Sequence, residues 1–288
     1  MNMKIMENKK LIIFCTSHKT INYLDKFYPF IQMVGCGNSI AFPSSWQKAN
    51  EKKNISEKFF SYADLVGHYY IWKNFLDKYN QDSWVGFSQY RRLWIKNKIT
   101  NDVELNLLDR IILTNIDESW NEYDAIIPPA FFFRKKKKEM LKNIFLFPIK
   151  RDINLLKYKT TVLDQFAQSL GPFGKDLIFE IIQYLPTSES YDFLEFLKKR
   201  THLSAHGMYI SKVKIINQYS NLIFEWFLKC ENIINKNNNL PLIKNSRIFQ
   251  YINERFLDYW FSKYYKVLRW PMVMYNENKN KLTSIGKI

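Results

Sequence analysis

The sequence predicts an α/β layer fold with a mostly parallel central sheet flanked by helices. Two observations predict it: short runs of branched and aromatic residues recur along nearly the whole chain, and segments of helical periodicity stand between them. The 288 residues, 47% of them hydrophobic, suffice for one large domain or two small ones. The expectation is a single domain over residues 1–275 with a helical insertion near 135–200, followed by a loose basic tail at 276–288.

Taken in order, Leu11-Ile-Ile-Phe-Cys15 reads as a buried strand that delivers a polar loop, Thr16-Ser-His-Lys19. Ser61 precedes Asp64 by three residues, the spacing of a capping box, and Tyr62, Leu65, Tyr69, Trp72 and Leu76 follow at helical intervals. A helix over residues 62–79 is predicted. Trp84-Val-Gly-Phe-Ser88 reads as a second buried strand that runs into Gln89-Tyr-Arg-Arg92, and Asp124-Ala-Ile-Ile-Pro-Pro129 as a third, stopped by prolines. Residues 153–185 and 191–200 carry helical periodicity, broken at Gly171-Pro172 and Pro186. Gly207-Met-Tyr-Ile-Ser211 is the fourth strand. A helix follows Lys214 to about residue 234, then an Asn-rich loop, then a helix whose stripe is Phe249, Ile252, Phe256 and Trp260. Residues 267–275 close the fold as an extended segment. No internal repeat is visible.

Composition excludes several classes. Only 8 Gly and 9 Pro rule out a collagen-like or low-complexity chain. Cys15, Cys36 and Cys230 are too few and too scattered for a disulfide framework or a closed zinc site, and suit a reducing cytoplasm. The apolar run after Lys10 is too short for a secretory leader, and no stretch approaches the ~20 apolar residues of a spanning helix. Phosphate-loop, zinc-protease, nucleophile-elbow and Cys-x-x-Cys patterns are absent. Gly35-Cys-Gly37 lacks the third glycine of a dinucleotide fingerprint. His202 and His206 stand four apart, but the β-favouring Met-Tyr-Ile after Gly207 argues against a helix that would turn them into a metal pair.

The formal charge of +16 has two readings, an anionic partner or an excess of lysine on solvated faces. Phe131-Phe-Phe-Arg-Lys-Lys-Lys-Lys138 sets three aromatics against five cations. That run reads either as contact with an anionic membrane surface or as a strand end followed by an exposed loop.

The most informative cluster is Gln89-Tyr-Arg-Arg92. Two adjacent guanidiniums match phosphate oxygens bidentately, which makes a diphosphate their natural ligand. Along an extended strand they would point to opposite faces, so both reach one ligand only if the backbone turns. The alternative is a salt bridge on each arginine.

Asn54-Ile-Ser-Glu-Lys58, Asp64-Leu65 ahead of Tyr69-Tyr-Ile-Trp-Lys-Asn74, and Val85-Gly-Phe-Ser-Gln-Tyr-Arg-Arg92 together resemble the core signature of a bacterial family long filed as a domain of unknown function. The family occurs in capsule and lipopolysaccharide clusters. Its members are regarded as glycosyltransferases, some as galactofuranosyltransferases. Weaker likeness at Ile13–Lys19, Tyr123–Pro128, Gly207–Ser211 and Glu254–Leu257 extends the resemblance over residues 11–275. It implies a GT-A-like fold with a nucleotide-sugar, UDP-linked, lying across the C-terminal edge of the sheet. Many such enzymes carry Asp-x-Asp there to hold a metal. This chain offers Gln89-Tyr-Arg-Arg92, so no metal ligand and no cofactor is expected. Family members usually show His at Gln89, Asn at Gly207 and Glu at Asp64.

On this reading Arg91 and Arg92 hold the diphosphate and Thr16, Ser17 and His18, at the end of the first strand, the nucleoside, with Gln89, Tyr90, His206 and Arg255 completing the donor site; the alternative for Thr16 and His18 is an ordinary polar loop. Asp64 and His68, four apart on the predicted helix, are candidates to orient the sugar or take the acceptor proton. Asp64 also has its reading as a helix cap. Glu254, opposite the apolar stripe of its helix, reads either as a solvated side chain or as the runner-up base. The expected partners are a nucleotide-sugar and a polysaccharide or lipid-linked acceptor at the inner face of the bacterial inner membrane. The rivals are a catalytically dead scaffold of a polysaccharide assembly complex and a basic nucleic-acid-binding module. No nucleic-acid motif supports the last.

Overall fold

The computed structural model describes residues 11–37, 41–133, 160–170, 174–236 and 247–286. The basic run at 134–138, the start of the helical segment expected from 153, the break at Gly171-Pro172 and most of the Asn-rich loop lie outside them. The chain divides into two compact units, Met1–Pro129 with Ser204–Ile288, and Ala130–Leu203.

In chain order the strands are β1 (Ile12–Ser17), β2 (Ile31–Gly35), β3 (Gln47–Lys48), β4 (Trp84–Gln89), β5 (Arg92–Trp94), β6 (Val103–Glu104), β7 (Ala125–Ile127), β8 (Phe131–Phe132), β9 (His202–Leu203), β10 (Tyr209–Lys212), β11 (Val267–Arg269), β12 (Met272–Asn276) and β13 (Lys281–Ser284). All but β8 and β9 join one sheet in the first unit. Across it run β3, β2, β1, β4, β10, β7 and β11, and from the end of β4 a second arm continues through β5, β12, β13 and β6.

The strand sense is mixed rather than mostly parallel. β1 is parallel to β2 and β4, β2 to β3, and β7 to β11, whereas β10 runs antiparallel between β4 and β7. The second arm is antiparallel throughout. The reason is local: Tyr90 and Arg91 form a two-residue connection that pairs Gln89 with Arg92, and so short a link joins only antiparallel strands. Similarly, β13 pairs with β12 and β6 inside the segment expected to be a loose tail.

The helices of this unit are α1 (Phe59–Tyr62), α2 (Leu65–Asn74), α3 (Leu108–Ile111) and, after the second unit, two long ones, Val213–Lys236 and Ile248–Tyr264. The single helix expected at 62–79 is thus broken at Ala63, whose φ of 49° interrupts it, and closes with a short 3-10 turn at Leu76–Lys78. Alternate side chains of the strands feed opposite faces of the sheet. On one face Phe14, Phe87 and Tyr209 meet His68 of α2, Tyr219 and Phe261. On the other, Ile13, Cys15, Trp84, Ile210 and Ile126 join a core with Leu24, Trp94, Leu108 and Trp120.

The second unit pairs β8 with β9 and packs α4 (Val162–Leu170), α5 (Gly174–Ile182) and α6 (Thr187–Lys199), so the two later long helices are α7 (Val213–Lys236) and α8 (Ile248–Tyr264). Here a capping box does form: Asp164 N–H donates to the Thr161 hydroxyl at 3.1 Å and Thr161 N–H to the Asp164 carboxylate at 3.4 Å. Leu163, Phe166, Ile178, Ile181, Phe193 and Leu197 fill the interior. Among the described residues no helix is long and apolar enough to cross a membrane.

Candidate active site

The site grows from the register of two parallel strands. Thr16 at the end of β1 pairs with Gln89 at the end of β4, and Tyr90 N–H donates to the Thr16 carbonyl at 2.9 Å. The chain then reverses, leaving Arg91 exposed on the turn and Arg92, partly buried, as the first residue of β5. The backbone turn that two guanidiniums at one ligand require is therefore present. His18 leaves the end of β1 beside them, its ring edge-on to Tyr90 with centroids 5.2 Å apart. Arg91 and Lys19 lie over the same tyrosine at 5.2 and 5.3 Å.

Helix α2 brings the carboxylate. Gly67, one turn in, lies so close to the sheet that a Cβ there would stand 2.6 Å from Thr16 Cγ2 and 2.9 Å from Cys36 Sγ. That close approach sets Asp64, at the helix start, against Thr16, whose hydroxyl lies 3.1 Å from both the Asp64 carboxylate and the Ser88 carbonyl. Asp64 makes no side-chain cap bond, and Ser61 Oγ donates instead to the Lys58 carbonyl at 3.1 Å, so the expected capping box at Ser61 is absent. The Asp64 side chain is turned toward the strand ends.

His18, Asp64, Gln89, Tyr90, Arg91 and Arg92 line one cleft, together with Phe59, Ala63 and Arg247. Its space is about 370 Å³, part of it open to solvent. Arg247 was not singled out from the sequence. It precedes α8 with φ 55° and is exposed. An arginine at a helix start opposes the helix dipole, and that was the available signal.

Behind Arg92 lies a second carboxylate. The Gln89 carboxamide accepts from Arg92 Nη1 and donates from Nε2 to the His206 carbonyl at 2.9 Å. The next peptide N–H along this chain of contacts, that of His206, is hydrogen-bonded to the Glu254 carboxylate. His206 takes φ 86° and Gly207 φ 60°, and a Cβ at Gly207 would stand 2.6 Å from Gln250 Nε2. Glu254 is thus not a solvated side chain: it is 16% exposed and 3.5 Å from Arg255 Nη1.

Burial pushes the Asp64 carboxyl above its ordinary range, against the Thr16 hydrogen bond and the charges of Arg92, Arg247 and His18. Burial does the same to Glu254, opposed by Arg255 and Arg92 and by the His206 hydrogen bond. For His18, burial pushes the imidazole down; Asp64 opposes this, while Arg247, Arg91 and Lys19 reinforce it. The outcome is a cleft of three guanidiniums and a neutral-leaning imidazole above two carboxyls that accept protons more readily than usual.

Six of the expected residues lie outside the lining of the cleft: Glu254 and His206 behind Arg92, and four more. His68 is buried, stacked on Phe87 at 4.2 Å, and its imidazole is pushed down to about 3 by burial alone; it belongs to the core beneath the sheet. Arg255 is buried, donating to the Tyr251 carbonyl at 2.7 Å and lying 3.5 Å from Glu254, and it is not on the lining of the cleft. Ser17 turns away, its hydroxyl donating to the Lys19 carbonyl at 2.6 Å. Thr16 is buried and reaches the cleft only by holding Asp64. Among the described residues no three His, Cys, Asp or Glu side chains cluster to hold a metal ion.

The fold is similar to that of a bifunctional glycosyltransferase, WbbM, in its apo structure, with a TM-score of 0.63 at 16% sequence identity. The match covers 96% of this chain and 47% of that one, so the chain spans about half the length of the protein it resembles. No curated protein matches it. The family model described as Domain of unknown function (DUF4422) matches residues 12–265, over the same strands and helices that build the cleft, and the chain belongs to that family.

Proposed function

We propose that this protein is a glycosyltransferase that moves a sugar from a nucleoside-diphosphate donor, UDP-linked, to a growing polysaccharide or lipid-linked oligosaccharide. The observation that carries the reading is the convergence of Arg91, Arg92 and Arg247 with His18 and Asp64 in one cleft at the C-terminal ends of β1 and β4. The edge of an open α/β sheet is where such folds bind ligands. Likeness of fold to a bifunctional glycosyltransferase supports it.

Glycosyl transfer breaks the bond between the anomeric carbon and the diphosphate, so negative charge grows on the leaving oxygens. Guanidiniums fixed in a partly dry cleft stabilise that charge in the transition state. The incoming hydroxyl must lose a proton as it attacks. Asp64 lines the cleft, and its raised proton affinity makes it a better base than an ordinary carboxylate. Glu254, linked to Arg92 through Gln89 and His206, is the alternative base.

In this reading the arginines take the place of a divalent ion, so transfer proceeds without metal. The acceptor belongs to capsule or lipopolysaccharide, the transferred sugar is galactofuranose, and the basic surface of the chain holds it peripherally on the anionic cytoplasmic face of the membrane. The test is to strip the purified protein of metal, add chelator, and follow sugar release from a panel of nucleotide-sugars with saccharide and lipid-linked acceptors. Transfer that persists supports the reading. A strict need for added divalent ion contradicts the metal-free mechanism, and inertness toward every donor contradicts the transferase.

A further inference from the structure

A second cavity opens at the outer edge of β2. β3 meets β2 at Val34 and Gly35, and beside it Ile31 and Met33, both buried, line a cavity of about 270 Å³ that opens to solvent. Trp46 forms one wall. Its ring stacks on Phe42 at 5.7 Å, and its indole N–H donates to Asp25 Oδ1 at 3.1 Å, which fixes both side chains. Tyr28 stands on the rim, 70% exposed. The polar residues on the lining are Gln32, Gln47, Ser45 and Asp25; the Gln32 carboxamide already donates to the Pro29 carbonyl at 3.4 Å and bonds Tyr79, which leaves Gln47 and Ser45 for a ligand.

The charge of this lining is telling. In a chain with 43 lysines and arginines, no cation lines the cavity among the described residues, and the one charged side chain among them there is a carboxylate. A phosphate or uronate would meet Asp25 with no counter-charge, so the site disfavours anions. An exposed aromatic ring over an apolar floor suits the C–H face of a sugar ring, while a carboxamide and a hydroxyl both donate to and accept from sugar hydroxyls. The cavity volume, about 270 Å³, lies just below the 300–1,000 Å³ or so typical of small-molecule sites.

We infer that this cavity is a binding subsite for a neutral oligosaccharide, separate from the basic cleft. Its preference for neutral saccharide stands on the cavity alone; its service to the acceptor or product chain during transfer rests on the proposed function. The experiment titrates wild type, Tyr28→Ala, Gln47→Ala and Arg91→Ala with neutral tri- and tetrasaccharides of glucose, galactose and mannose, followed by saturation-transfer NMR and calorimetry. Wild type and Arg91→Ala are expected to bind one of these alike, and Tyr28→Ala and Gln47→Ala to lose about tenfold or more in affinity. Thermal melts identify any variant that fails to fold, and exposed Tyr28 is the substitution least able to do so. No binding to wild type, equal binding by both cavity variants, or loss of binding in Arg91→Ala alone overturns the inference. Failure of the transferase reading has a different signature, the absence of nucleotide-sugar turnover, and leaves these titrations unchanged.

Discussion

Arg91 and Arg92 are neighbours in sequence with unlike tasks. Arg91 is exposed at the mouth of the cleft, so Arg91→Ala should leave the melting temperature alone and lower transfer by about 2 to 4 kcal/mol, the loss expected for a stabiliser of transition-state charge. Arg92 is partly buried among Gln89, Asp64 and Glu254, and its removal takes one compensating charge from both carboxyls and leaves the Gln89 carbonyl oxygen without its donor. Arg92→Ala should therefore lower both transfer and the melting temperature, and equal melting of the two variants would contradict this division. The carboxyls carry the pH dependence. Burial raises Asp64 above 3.8 and Glu254 above 4.5, so between those values and the raised ones the folded chain holds protons that the unfolded chain has released. Folding stability contributed by these groups thus falls as pH rises through that window. Asp64→Asn removes its share of the cost. It is expected to melt no lower than wild type at neutral pH while transfer drops about 10²- to 10⁴-fold and the acidic limb of the rate profile disappears. An unchanged acidic limb in Asp64→Asn would shift the base to Glu254.

At the scale of elements, the helix that carries Asp64 is positioned by the absence of a side chain. Alanine at position 67 would gain about 1 kcal/mol in helix propensity, but its Cβ would collide with Thr16 and Cys36, and overpacking a core costs about 1 to 3 kcal/mol. Gly67→Ala is expected to unfold at lower urea and to weaken donor binding, because α2 must lift and take Asp64 with it. Unaltered donor affinity would show that the helix does not set the site. The sequence was informative here in part. The strands from Trp84 and Gly207 and the helix stripe at Phe249 follow from periodicity, which is local. The break at Ala63 does not, because a positive φ at an alanine has no residue type that announces it. Glu254 looked solvated for a different reason: its helix buries more than one stripe, including Asn253, Arg255 and Asp258.

For the whole molecule, the α/β class and the helices around one large sheet were legible, and the sense of the strands was not. Parallel β1, β2 and β4 are joined by long connections with recognisable helices or loops, whereas the antiparallel arm depends on the two-residue turn at Tyr90 and on the pairing of the weakly apolar β13. Arg247 illustrates the same limit for the site, since more than 150 residues separate it from the arginines it joins and only tertiary structure brings them together. The charge of +16 is likewise divided: guanidiniums gather at one cleft while the cavity beside β2 has none among the described residues of its lining.

The convergence of His18 with the guanidiniums of Arg91, Arg92 and Arg247 into one diphosphate site is tested most directly by calorimetric titration of UDP, in chelator, into wild type, Arg91→Ala and Arg247→Ala. The expected result is saturable binding to wild type that each substitution weakens by about tenfold or more, the worth of a charge-assisted phosphate contact. Binding that neither substitution alters, or no binding to wild type, would contradict it.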